Sequence, residues 1–299
     1  MASDFIPRDA KTTIERVTFR STETEELVTA LLVRPASLNG TGNGARPMIH
    51  PAALIQHGYG AEKADLLPLA SLLAEHGFIS LLPDAWGHGE RFPASGPNWM
   101  NQLSADYFIT VVRHTVADMR EALTVLQAQP GVRAGATLVG GFSMGAMAAL
   151  IVGSEDQRVA GVVSASGSPL PDLVNVSLFG SQPPSEESAN WARAHDAAAQ
   201  VGRLAPKPLL LQHGRQDDMC PIAGTQRMYE AAMPYYAAHP DRLKLMLYDH
   251  SHLVTEAQLL DAVNWLAPFF TQTADGADRD TERPPHGAKG TISSAALSS

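Results

Sequence analysis

The chain has 299 residues, 44% of them hydrophobic and 18% charged, enough for a single α/β domain that buries roughly three quarters of its unfolded surface. A formal net charge of -9 with no cluster of Lys and Arg argues against a nucleic-acid or anionic-membrane surface, because phosphate binding draws on concentrated cations. The single cysteine, Cys220, excludes an intrachain disulfide, and Met1-Ala2-Ser3-Asp4-Phe5 opens no apolar leader segment, so cytoplasmic residence is the expectation.

In chain order the pattern alternates strand and helix, as a mostly parallel, doubly wound sheet demands. Two early strands are expected near Ile14 to Arg20 and Glu26 to Arg34, followed by a Gly- and Asn-rich loop over residues 38–47. Ala53-Leu54-Ile55-Gln56 reads as a buried strand running into His57-Gly58-Tyr59-Gly60. A helix with Leu66, Leu69 and Leu73 on one face ends at Gly77, and Phe78-Ile79-Ser80-Leu81-Leu82 is the next strand. A long amphipathic helix starts near Ala105, carries Phe108, Val112, Met119, Leu123 and Leu126 on one face, and stops before Pro130-Gly131.

The most informative stretch comes next. Apolar Ala136-Thr137-Leu138-Val139-Gly140 predicts a buried strand, Ala146 to Ile151 predicts a helix, and Gly141-Phe142-Ser143-Met144-Gly145 joins them. A serine at such an apex takes a strained conformation that lifts its hydroxyl off the sheet, while flanking glycines let strand and helix approach. Strands are then expected from Val159 to Ala165, from Pro208 to Gly214 and from Leu243 to Tyr248. The loop after the second of these offers Asp217 or Asp218 as an acid, and the loop after the third offers His250 or His252 as a base. Between the first two lies a proline-rich, polar segment, residues 167–205, read as a short cap over the active site, with an ordinary long crossover as the alternative. Phe179 and Trp191 in it are candidates for the substrate pocket. Residues 271–299 stay polar and are expected to be a disordered tail after a domain spanning 1–270.

These residues carry a resemblance. His57-Gly58-Tyr59-Gly60, the run Pro83-Asp84-Ala85-Trp86-Gly87-His88-Gly89-Glu90-Arg91, the Gly-x-Ser-x-Gly turn, and His213-Gly214 followed by Asp217 and Pro221 are similar to the α/β-hydrolases, specifically the small bacterial carboxylesterases of the dienelactone-hydrolase and prolyl-oligopeptidase-like branch. Serine at the elbow departs from the dienelactone hydrolases proper, which use cysteine there. The resemblance implies an α/β-hydrolase fold with an antiparallel N-terminal edge. It also implies Ser143 as nucleophile, Asp217 as the acid, His252 as the base, and an oxyanion hole from the backbone N–H groups of Tyr59 and Met144.

The function expected is that of a serine carboxylic ester hydrolase acting through an acyl-enzyme on short-chain acyl esters. A peptidase or amidase of the prolyl-oligopeptidase type, or a non-catalytic binding protein on a hydrolase scaffold, is the alternative. No tight cluster of His and carboxylates has metal-ligand spacing and no Gly-rich nucleotide loop is present, so neither metal nor cofactor is implied. His57 and His213 read as packing and hydrogen-bonding groups, and His88, Glu90 and Arg91 as an anchor for their loop through an ion pair, with lining of the pocket as the alternative.

Overall fold

The computed structural model describes residues 12–36, 49–92, 104–173, 179 and 182–271. The Gly- and Asn-rich loop, part of the 167–205 segment and the C-terminal tail beyond residue 271 therefore lie outside the described residues.

Eight strands form one sheet in the order β1-β2-β4-β3-β5-β6-β7-β8. In chain order they are β1 (Thr12–Arg20), β2 (Leu27–Pro35), β3 (His50–Gln56), β4 (Ile79–Pro83), β5 (Val132–Phe142), β6 (Val159–Ala165), β7 (Leu209–Gly214) and β8 (Leu243–Tyr248). β1 pairs with β2, and β2 with β4, in antiparallel register; every other pairing is parallel. The helices are α1 (Leu67–Glu75), α2 (Ala105–Gln127), α3 (Met144–Glu155), the short α4 (Leu170–Leu173), α5 (Glu186–Ala194), α6 (Ile222–Ala232) and α7 (Glu256–Phe270). The chain leaves β3 outward to β4 and returns to β5 on the other side. A parallel sheet opens a crevice at the strand ends where the winding reverses in this way.

Alternation along the strands divides the core into two layers. Leu54, Leu81, Val139, Val162 and Leu211 face α2 and α3, whereas Ile55, Leu82 and Leu138 face α1 and α7. α3 is apolar all round, and every residue from Met144 to Ser154 is buried. Such a helix has no solvent face to orient it, so its packing against β5 and β6 fixes its position. α2 begins with the Ser104 hydroxyl accepting from Tyr107 N–H. α7 begins with a capping box, in which Thr255 accepts from Gln258 N–H and the Gln258 side chain accepts from Thr255 N–H.

Candidate active site

The turn between β5 and α3 is built by close approach. Ser143 sits at its apex with φ 53° and ψ -119°, a left-handed conformation that costs a non-glycine residue about 1–3 kcal/mol. The flanking glycines are required by space. A Cβ on Gly141 would come within 2.4 Å of the Gly145 carbonyl carbon, and one on Gly145 within 2.2 Å of the Gln56 carbonyl oxygen. Both distances are far inside van der Waals contact, so β3, β5 and α3 converge only because these side chains are missing.

Three of the residues expected from the sequence meet there. Ser143 Oγ lies 2.9 Å from His252 Nε2, and His252 Nδ1 donates to Asp217 Oδ2 at 2.7 Å. Because Nδ1 carries the hydrogen, Nε2 presents its lone pair to the serine hydroxyl. Asp217 Oδ1 accepts from the backbone N–H groups of Met219 and Cys220 at 3.1 and 2.8 Å. Burial by itself would raise the Asp217 pKa. Hydrogen bonds from His213, His252 and the Cys220 amide outweigh it and hold the carboxyl well below the usual range. His250 points elsewhere, its Nδ1 donating to the Ser251 carbonyl while its ring stacks on Tyr248.

The His252 ring is also held from one side by Phe142, with ring centroids 4.9 Å apart. The amide of Met144 is the first N–H of α3, one of the four at a helix start that have no acceptor within the helix. Tyr59 follows β3, and its ring packs edge-on against His88 at 4.9 Å and against Phe108 at 5.7 Å. Phe108 in turn meets Phe179 at 4.9 Å, so an aromatic row runs from Tyr59 to the segment between β6 and β7. Trp191 is placed differently. Its ring packs at a tilt on His195, whose Nδ1 lies 2.6 Å from Glu155 at the far end of α3, away from Ser143.

Buried polar groups hold the two loops flanking the serine. His57 donates from Nδ1 to the Gly58 carbonyl at 2.8 Å and accepts from Ala85 N–H at Nε2, 2.9 Å away; burial lowers its pKa to about 4. Lys63, just before α1, pairs with the fully buried Asp84 at 2.5 Å and with Glu90 at 2.8 Å. Arg16 of β1 also binds Glu90, while Arg91 reaches Asp118 of α2 at 2.5 Å and Glu26 at 2.9 Å. The loop carrying His88, Glu90 and Arg91 is thus anchored by ion pairs, as its sequence suggested. Cys220 is buried, and burial pushes its thiol up to about 12, so it is not a nucleophile near neutral pH.

Sequence reasoning missed three supports: the Phe142 ring, the amide pair on Asp217, and the contact of His213 with that carboxylate. Only the position of His213 at a strand end hinted at the last. Among the described residues no group of three or more His, Cys, Asp or Glu could hold a metal ion, and no helix is long and apolar enough to cross a membrane.

A hydroxyl at a sheet-to-helix elbow, an imidazole lone pair facing it and a carboxylate behind the imidazole, on an eight-stranded sheet with this order, define a member of the alpha/beta hydrolase family. The chain belongs to that family, whose model matches residues 53–287. It is 26% identical over 236 residues to the YitV protein of Bacillus subtilis, covering 74% of this chain and 89% of that protein. It is 28% identical over 198 residues to the esterase YjfP of Escherichia coli, covering 60% of this chain and 74% of that protein. Among solved structures it is similar to the Pyrococcus furiosus esterase Pf2001, with a TM-score of 0.62 at 18% identity over 90% of this chain and 97% of the other. TT1662 from Thermus thermophilus gives 0.63 at 20% identity over 86% and 98%.

Proposed function

We propose that the protein is a serine carboxylic ester hydrolase that works through an acyl-enzyme on short-chain acyl esters. The observation that carries this reading is the unbroken chain of hydrogen bonds from Ser143 Oγ through His252 to Asp217, at 2.9 and 2.7 Å. In this reading Ser143 Oγ attacks the ester carbonyl carbon as His252 Nε2 takes its proton, and Asp217 stabilises the imidazolium that results. The amides of Tyr59 and Met144 donate to the oxyanion, aided by the positive N-terminal end of α3. The imidazolium then protonates the departing alcohol. Water, activated by the same nitrogen, attacks the acyl-enzyme and frees the acid.

The ester class draws support from the esterases YjfP and Pf2001, to which the chain is similar. The preference for short acyl groups draws support from the aromatic row Tyr59, Phe108 and Phe179, which starts at the residue whose amide is assigned to the oxyanion. The test is Ser143→Ala, with hydrolysis of p-nitrophenyl acetate and labelling by a fluorophosphonate as readouts. Both are expected to vanish while the circular dichroism spectrum and melting temperature are retained. Turnover persisting in the pure variant, or an adduct mapped by mass spectrometry to another residue, overturns the serine mechanism.

A further inference from the structure

His213 occupies the penultimate position of β7, and none of its surface reaches solvent. A fully buried imidazole needs a partner at each ring nitrogen, and here the partners are unequal. Nδ1 lies 2.8 Å from the Thr225 hydroxyl, which itself is 2.7 Å from the Gly167 carbonyl; this pair pins the ring's rotation. Nε2 lies 2.7 Å from the Cys220 carbonyl oxygen and 3.3 Å from Asp217 Oδ2. Carbonyl and carboxylate oxygens only accept, so Nε2 carries a hydrogen and shares it between them. Packing alone would be satisfied by Cys220 and Thr225. What exceeds packing is that the second acceptor is the same carboxylate oxygen that receives His252.

Counting donors around Asp217 shows what this contact does. Oδ1 takes two backbone N–H groups, Oδ2 takes the His252 N–H at 2.7 Å and has His213 Nε2–H beside it at 3.3 Å, and a carboxylate offers about four lone-pair positions in all. The carboxylate is therefore held on both oxygens and cannot rotate without lengthening one of these contacts. The other charged groups of the neighbourhood turn away: Arg215 and Asp249 pair with each other on the exposed side at 3.2 Å, and the Cys220 thiol stays neutral.

We propose that His213 is a positioning residue for the hydrolytic reaction, holding Asp217 Oδ2 through its Nε2–H and thereby setting both the orientation of the carboxylate and the negative charge it presents to His252. The proposal rests on the reading of Ser143, His252 and Asp217 given above. Removing this donor leaves more of the carboxylate's charge to favour the His252 imidazolium, so the base releases its proton at higher pH. It also frees one restraint on the carboxylate, which lowers the plateau rate.

The test compares His213→Leu with His213→Gln in the full chain, reading kcat/KM for p-nitrophenyl acetate across pH. A glutamine amide nitrogen can stand where Nε2 stands; leucine fills similar space without a donor. For His213→Leu the acid limb is expected to move to higher pH by about half a unit and the plateau to fall about tenfold, as for loss of a hydrogen bond to a charged group. His213→Gln is expected to restore the limb and to bring the plateau within about threefold of the parent. A parent-like acid limb in His213→Leu, or a displaced limb that glutamine leaves uncorrected, overturns the proposal. Should the leucine variant fail to fold, Thr225→Val decides, because it keeps the imidazole but removes its Nδ1 partner. An upward shift of the limb supports the role of His213, and an unmoved limb refutes it. Activity that survives Ser143→Ala defeats the nucleophile assignment and this proposal together, whereas an inactive Ser143→Ala beside an unmoved limb defeats the His213 role alone.

Discussion

Gly145, in the first turn of α3, lies so close to Gln56 at the end of β3 that a methyl group on its Cα would stand 2.2 Å from the Gln56 carbonyl oxygen. Backbone on both sides leaves nothing to yield. Gly145→Ala is therefore expected to cost at least about 3 kcal/mol, the scale of severe overpacking, and to appear as insoluble protein or a large fall in melting temperature. Gly135→Ala is a useful contrast: unlike helical Gly145 its backbone has positive φ, but a Cβ there meets nothing within 4 Å, so only the milder conformational cost applies.

The two histidines of the β8 loop are expected to separate cleanly. His252→Ala should lower kcat/KM on a small ester by about a thousandfold or more, because both proton transfers lose their base. His250→Ala should stay within a fewfold of the parent, since its ring bonds to its own loop. In the acid pair, Asp217→Asn is expected to reproduce most of the His252 loss and Asp218→Asn almost none of it. Steady-state kinetics on the four variants checks these expectations together.

Asp217 also links stability to pH. Its folded carboxyl binds a proton less readily than the unfolded one, whose pKa is about 3.9. The stability it contributes is thus fully present above the unfolded value and is lost as pH falls toward the lower folded value. Glu90, held down to about 2 by Arg16 and Lys63, acts in the same direction, but its 45% exposure screens the effect. Urea midpoints measured from pH 5 to pH 3 should fall more steeply for the parent than for Asp217→Asn.

Lys63→Met is expected to destabilise the fold by about 3–5 kcal/mol, because it leaves Asp84 charged, buried and without its cation. The double variant Lys63→Met with Asp84→Asn should recover part of that loss. A double-mutant cycle by urea denaturation gives the coupling, and strictly additive losses would show that the pair contributes nothing as a pair.

Phe179 and Trp191, which look alike in the sequence as cap aromatics, are expected to behave differently. Phe179→Ala opens the row that ends at Tyr59 and should raise kcat/KM for butyrate or hexanoate esters relative to acetate. Trp191→Ala removes a packing partner of His195 at the far end of α3, so it should lower the melting temperature and leave acyl selectivity alone.

What the sequence disclosed follows from locality. The elbow, the strand Val159–Ala165, the strand Leu243–Tyr248 and the Thr255 cap with Gln258 are each specified by residues within one element or its immediate neighbour. The apolar pattern starts β5 near Ala136, but the strand begins at Val132, because Val132 pairs with His50 across a shift in register that no local pattern encodes. The Lys63–Asp84 pair and the contact of His213 with Asp217 depend on which loops the sheet order brings together. The orientation of Trp191 was illegible for the same reason: apolar character says that a side chain is covered and leaves open by what.

The left-handed backbone at Ser143 implies that the chain would be more durable with glycine at this position. Glycine adopts φ 53° without steric penalty, so Ser143→Gly should relieve about 1–3 kcal/mol of strain against roughly 0.5–1 kcal/mol of added freedom in the unfolded chain. The expected product is an inert protein that melts a few degrees higher. Selection for persistence alone would therefore drift away from serine at this position, so serine in so awkward a geometry accords with the nucleophile role proposed for it.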